Sequence, residues 1–295
     1  MNPMDIEMRQ LLILPLVLLI GACDLFVPEP PDIAFEPYGL DYADKPAFAR
    51  VEYRHPLSSQ QRARITPDYL ATLEQEQVDQ IYARLTAGPI PDGPFDGDLF
   101  FAKGSSGSTR IAEILAGLEG LLVGLKMEKL DLVGEVLWKG KVFYREAGLL
   151  RNRIEDLAVL APVIDGPLSE FARTEVDGKD AWLLFPAKVY CGQSLLDGRR
   201  ESIIVDYAFS DEIEGYRSLP DGLPGRNGFR IRDELRRVRP GLYLGRAYVG
   251  RLFALNFTLY SEVLAEVGEA AFLASGRVEE DCWPGTQGTT SMAAG

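Results

Sequence analysis

The segment from Asp180 to Ser261 most constrains the fold, because short apolar runs there are separated by turn-forming dipeptides. "DAWLLFPAKVYCG" and "ESIIVDYAFS" flank Asp197-Gly198, and "DELRRVRPGLYLGRAYVGRLFALNFTLYS" is punctuated by Pro240-Gly241 and Gly250-Arg251. β-Branched and aromatic runs broken in this way predict antiparallel strands, two around the Asp-Gly turn and three after it. Ser261 then stands as the N-cap of a helix with Val263, Val267, Ala270 and Leu273 inward, ending at Gly276.

Upstream the periodicity is helical. Thr66 as N-cap and Pro67 at the first helical position precede Leu70, Leu73, Ile81 and Leu85, and Gly88 ends the pattern. "GPIPDGPFDGD" is expected to break regular structure. A short strand, a Gly/Ser loop and a helix then follow, with Ile111, Ile114, Leu115, Leu118, Leu122 and Leu125 at helical spacing. Gly117, Gly120 and Gly124 give that helix a small-residue face, which suits close packing against a sheet. The predicted class is α+β: N-terminal helices over residues 47–130, then an antiparallel β-barrel or strongly curved sheet with a C-terminal helix over 131–282. Residues 283–295 are expected to be a disordered tail.

Strands followed by a C-terminal helix, with a cysteine beyond it positioned to bond back to a strand, resemble the lipocalin plan. "WKGKVF" and "RDELRRVRPGLYLGRAYVGRLFALNF" resemble stretches of uncharacterised lipocalin-like bacterial proteins, and the resemblance covers residues 131–260. It implies a lipocalin-like barrel whose interior holds one small apolar ligand. No activity comes with it.

The N-terminus bears on location. Leu11 to Ala22 is uncharged but only twelve residues long, short of the roughly 20 that a spanning helix needs. Ile20-Gly21-Ala22-Cys23 resembles the lipobox of bacterial lipoproteins, which implies a signal peptide over residues 1–22 and a membrane anchor on Cys23. Asp5 and Glu7 outnumber Arg9 in the leader, a defect that disappears if translation starts at Met8. Residues 23–46, rich in proline and acid, are expected to form an extended tether that holds the folded part off the bilayer. Asp24 resembles the inner-membrane retention signal of enterobacterial lipoproteins, which favours the periplasmic face of the inner membrane. Cys191 and Cys282 then remain in an oxidising compartment and are expected to pair, the alternative being two unrelated buried thiols.

Charge narrows the partners. The precursor carries −13, and without the leader 30 basic side chains face 42 acidic ones, or −12; that balance argues against the protein as a whole binding nucleic acid or an anionic membrane by charge. Against that background eight arginines cluster between Arg226 and Arg251 beside only Asp233 and Glu234. Strand alternation puts Arg246 and Tyr248 on one face with Leu242 and Leu244. The Arg-x-Tyr pair resembles the carboxylate clamp of intracellular fatty-acid-binding barrels, with the alternative of a structural, salt-bridged arginine.

Arg246 and Tyr248 are therefore candidates for the anionic end of a small amphiphilic ligand. Trp138 and Lys141 are candidates for closing the barrel base, with the cation near the indole. Arg236, Arg237 and Arg239 are candidates for docking an acidic protein partner. "GSSGST", Gly104 to Thr109, reads as a helix-capping loop or an anion or nucleophile site, with Ser105 and Ser106 as the only support for an ester hydrolase. His55, the sole histidine, is expected in a surface loop, and a histidine-rich metal site is excluded. No cofactor or metal is implied, and whether the chain is an enzyme stays open.

Overall fold

The computed structural model describes residues 29–39, 41, 44–103, 138–155, 157, 164, 166–176 and 178–286. Cys23, the Gly/Ser loop Gly104–Thr109 and the helix expected around Ile111–Leu125 lie outside the described residues.

Four short helices come first: α1 (Phe48–Arg54), α2 (Ser59–Ala63), α3 (Pro67–Thr72) and α4 (Gln75–Ala83). Thr66 does cap α3, its hydroxyl accepting from the Tyr69 amide at 3.1 Å. The expected single helix is nevertheless two, because Leu73 O accepts from the Lys103 amide at 2.8 Å and Glu74 forms an isolated bridge with Lys103. Leu73 and Glu74 accordingly take extended backbone, with ψ of 158° and 154°, which ends α3 before α4 begins. A new helix starts at once, with the Gln77 side chain accepting from the Glu74 amide at 3.0 Å.

The sheet contains β1 (Gly93–Phe100), β2 (Trp138–Tyr144), β3 (Leu149–Ile154), β4 (Arg173–Val176), β5 (Lys179–Gln193), β6 (Glu201–Asp206), β7 (Ile231–Arg239), β8 (Leu242–Val249) and β9 (Leu252–Tyr260). The antiparallel order is β3-β2-β1-β9-β8-β7-β6-β5-β4, and pairing of β3 with β5 closes an eight-stranded barrel with β4 left outside the ring. Closure removes the sheet edges that would otherwise template aggregation. The C-terminal helix α5 (Glu262–Ser275) ends at Gly276, whose left-handed backbone donates to Phe272 O at 2.7 Å.

β1 corrects two expectations. "GPIPDGPFDGD" does not end regular structure, and the barrel begins at Gly93 rather than near residue 131. Phe95 and Leu99 point into the core, while Gly97 is required by close approach: a β-carbon there would collide with the Trp138 indole. Gly245 on β8 does the same for the Phe257 ring, which crosses Trp138 edge to face at 5.6 Å.

Alternation along the strands produces two cores. Phe95, Phe143, Leu150, Ile203, Val205, Leu235, Tyr243 and Leu259 fill the barrel. Leu242, Leu244 and Val238 face outward, where Ile65, Leu70, Leu73, Val78, Ile81 and Leu85 of the helical layer cover them.

Three chain segments behave differently from expectation. Residues 29–39 are not a free spacer: Ile33 is buried among the helices, and Gln80 exchanges hydrogen bonds with the Glu36 backbone at 3.0 and 3.1 Å. Trp283–Thr286 is ordered, Trp283 exchanging hydrogen bonds with Glu201 at 2.9 and 3.0 Å. On α5 the inward residues are Ala265 and Phe272, with Gly268 against Pro240, whereas Val263, Val267, Ala270 and Leu273 face out. Small side chains let α5 approach the Pro240-Gly241 turn, and that contact sets its rotation. Cys191 and Cys282 form a disulfide across 91 residues. On a chain-entropy model a loop of that length contributes about 4–5 kcal/mol.

Candidate functional site

Three clusters concentrate the polar and apolar side chains that chemistry would need. The first lies inside the barrel. Lys141 Nζ donates to Asn152 Oδ1 at 2.9 Å and Tyr207 OH at 2.8 Å, and pairs with Asp233 Oδ2 at 3.0 Å. Trp138 Nε1 donates to the same Asn152 oxygen at 2.9 Å, and the rings of Trp138, Tyr207 and Phe257 surround the ammonium at 5.3 to 5.5 Å. Burial pulls the Lys141 pKa down, but the Asp233 carboxylate and the Tyr207 phenol outweigh it and hold it above its ordinary value. Lys141 stays charged, and each of its three donors has a partner. The expected stacking of Lys141 near Trp138 is present, within a saturated and neutral network that pins four elements together.

The second cluster lies between the barrel's outer face and the helices. Arg246 and Tyr248 do share a face with Leu242 and Leu244, but that face looks out at α4 rather than into the barrel. Arg246 pairs with Asp79, donates to Tyr248 OH at 3.0 Å, and lies 4.2 Å from the centre of the Phe253 ring. Burial disfavours its charge, yet Asp79 and Tyr248 raise its pKa above the ordinary value.

Arg236 is 0% exposed. It donates to Ser202 Oγ at 2.9 Å, Tyr82 O at 3.1 Å, Asp197 Oδ2 at 3.0 Å, Asp197 O at 3.0 Å and Arg200 O at 3.3 Å. Burial pushes the Asp197 carboxyl up, but Arg199 and Arg236 together hold it below its ordinary value. Arg236 is thus a buried fastener of the helical layer and not a surface for an acidic partner. Arg239 donates to Ile65 O at 3.4 Å and covers the Tyr260 ring. Arg226 and Arg232 pair with Asp211 and Glu234. The arginine excess is partly offset, because Asp79, Asp197 and Asp211 reach Arg246, Arg236 and Arg226 from other parts of the sequence.

The third cluster is a groove of about 310 Å³ at the barrel rim, between α5 and the β7–β8 turn. Tyr243, Pro240, Leu264, Val267, Ala271 and Phe272 form its apolar surface, and Arg237, Arg277 and Glu279 its charged edge. Tyr243 is fixed by donating to Pro89 O at 2.7 Å. Arg62 lies under Phe272 at 5.0 Å, donating to Val238 O at 2.7 Å and Arg237 O at 3.0 Å; burial and the neighbouring Arg237 lower its pKa to about 10. The Arg237 guanidinium makes no hydrogen bond or ion pair among the described residues. Burial pushes the nearby Glu280 carboxyl up, against the pull of Thr86, Gly88, Arg62 and Arg237. An apolar trough ending in an unengaged guanidinium has the chemistry to hold an anionic amphiphile.

His55 is half-buried at the end of α1, its Nε2 3.4 Å from the buried Glu36 carboxylate, which Arg50 and Arg54 also approach. Among the described residues the group of metal-ligating types within 4.8 Å of one another is Cys191, Glu201 and Cys282, and the disulfide engages both sulfurs. No described helix is long and apolar enough to cross a membrane.

Sequence reasoning missed Asp233, Asn152 and Tyr207. A charged residue at an inward strand position, as Asp233 is beside Leu235, signals a buried partner. It also missed the groove, because the rotation of α5 depends on small residues at the turn and not on the helix's own apolar pattern.

No family model matches the sequence, and no curated protein matches it. A solved structure of a protein from Thermomonospora curvata is similar at 20% identity and a TM-score of 0.33, covering 65% of this chain and 89% of that one. A likeness at that level carries no argument.

Proposed function

We propose that this chain is a lipid-anchored protein of the bacterial cell envelope that binds one anionic amphiphile in the groove between α5 and the β7–β8 turn. The observation that carries the reading is Arg237, an arginine without an ion-pair partner among the described residues, set at the edge of an apolar trough. Its volume of about 310 Å³ is at the lower end for ligand pockets, which run from about 300 to 1,000 Å³. A single acyl chain with a carboxylate or phosphate head matches that size and polarity. The anchor is supported by Ile20-Gly21-Ala22-Cys23 and by an oxidised Cys191–Cys282 pair, which suits an exported protein.

The groove replaces Arg246 and Tyr248 as the anionic end, since Asp79 already neutralises Arg246. A diazirine-bearing fatty acid, photolysed with the full-length protein, is expected to label the peptide 262–277. Arg237→Ala should reduce the labelling at least tenfold. Labelling that stays on strand residues inside the barrel, or is unchanged in Arg237→Ala, overturns this reading.

A further inference from the structure

We infer that the outward apolar face of α5 docks on the surface of the bilayer in which the chain is anchored; the inference rests on the lipid anchor proposed for Cys23. Val263 is 69% exposed, Val267 79% and Leu264 43%, and Ala270, Ala271 and Ala274 are exposed beside them. At 100° per residue these six share one broad arc, opposite Ala265 and Phe272, which face the barrel. Glu262, Glu266 and Glu269 lie together on the flank of that arc, and α5 contains no lysine or arginine.

The length of chain between the anchor and the fold selects a bilayer as the occupant. Arg64 donates to Glu29 O at 2.9 Å and Pro30 O at 3.1 Å, and Gln61 Nε2 donates to Asp32 O at 2.6 Å. These groups fasten the N-terminal segment to one side of α2. The other side of α2 meets α5, where the Arg62 guanidinium lies over Phe272 and Ser59 approaches Gly276. One helix width, about 10 Å, therefore separates the fastened segment from α5. From Cys23 to Glu29 the chain spans at most about 20 Å. A lipid on Cys23 thus brings the membrane surface to the neighbourhood of α5, which favours the bilayer as the occupant of its outward face.

The contact is apolar. An interfacial helix normally adds basic residues for anionic headgroups, and α5 has only acids, so its docking does not depend on charge. Burying two valines and a leucine is modest on its own, and the anchor raises the local membrane concentration enough to make it effective. The same orientation opens the groove toward the bilayer, the source of its amphiphile.

The test uses the full-length lipidated protein in phosphatidylcholine vesicles, with and without bromine on the acyl chains. Val263→Trp places a reporter on the docking face outside the groove, and Leu252→Trp places one at the exposed β8–β9 turn, at the opposite end of the barrel. Bromolipid is expected to quench the added emission of Val263→Trp at least about twofold, in low salt and in about 0.5 M NaCl alike, and to leave Leu252→Trp unchanged. Both variants should keep the wild-type unfolding midpoint. Absence of quenching in protein that still floats with the vesicles overturns the docking alone, and a crosslinked dimer through α5 in that case assigns the face to a second copy. Protein that does not float, with no diacylglycerol mass on the Cys23 peptide, overturns the anchor and the docking with it.

Discussion

Arg236 and Arg237 are adjacent in β7, yet Arg236 is fully buried with five hydrogen-bonding contacts while Arg237 reaches the rim groove and makes none among the described residues. Strand alternation explains the opposite directions, and the tertiary surroundings explain the opposite fates. Toward the helices, Asp197 and the Tyr82 carbonyl were available to complete a buried guanidinium. Toward the rim, α5 presents alanine, leucine, valine and phenylalanine. The arginine cluster in this acidic chain therefore includes residues that fasten layers, such as Arg236 and Arg246, and Arg237, whose guanidinium stays unengaged at the groove among the described residues; burial with its partner set tells them apart.

That division is open to direct attack, beginning with stability. Arg236→Ala leaves Asp197 to Arg199 alone and takes the donor from the buried Ser202 hydroxyl and the Tyr82, Asp197 and Arg200 carbonyls; it should cost about 3–5 kcal/mol by urea unfolding, whereas Arg237→Ala should stay within about 0.5 kcal/mol. Equal effects would erase the distinction. Lys141→Met, which strands Asp233, should also cost about 3–5 kcal/mol, and adding Asp233→Leu should restore much of the loss. Because the folded-state pKa of Lys141 is raised, its contribution is complete below the unfolded value of about 10.4 and fades as pH rises through the folded value. Removing the disulfide by Cys191→Ala and Cys282→Ala should cost about 2–5 kcal/mol.

Acid sharpens the same contrast. Asp197 has a depressed folded-state pKa, so its contribution is present above the unfolded value of about 3.9 and is lost as pH falls from there through the folded value. The stability gap between the wild type and Asp197→Asn should therefore narrow steadily below about pH 4. A gap that is constant with pH would mean that the carboxylate charge is not what holds Arg236. The smallest effect expected is on binding: Arg237→Ala should weaken amphiphile affinity about tenfold, or about 1.4 kcal/mol, by fluorescence titration.

Much of the barrel was legible in residues 180–260, because the alternating apolar pattern and the turn dipeptides are local signals. The Arg246–Tyr248 common face was legible for the same reason, and the disulfide from the two cysteines left once Cys23 is given to the lipid. β1 was not, since Pro94, Gly93 and Gly97 look like breakers until Trp138, 41 residues later, is seen to lie on Gly97. The rotation of α5 was hidden because its apolar residues occupy more than one face, and only the Pro240-Gly241 turn decides which is covered. The fate of each arginine was equally non-local, resting on Asp79 and Asp197 from other segments of the fold.

Native mass spectrometry of the full-length protein purified from membranes, before and after organic extraction, tests the central claim most directly. An extractable amphiphile retained by Arg246→Lys and lost from Arg237→Ala is the predicted result. An amphiphile that persists in Arg237→Ala and vanishes from Arg246→Lys would move the site beneath α4 and contradict the assignment to the α5 groove.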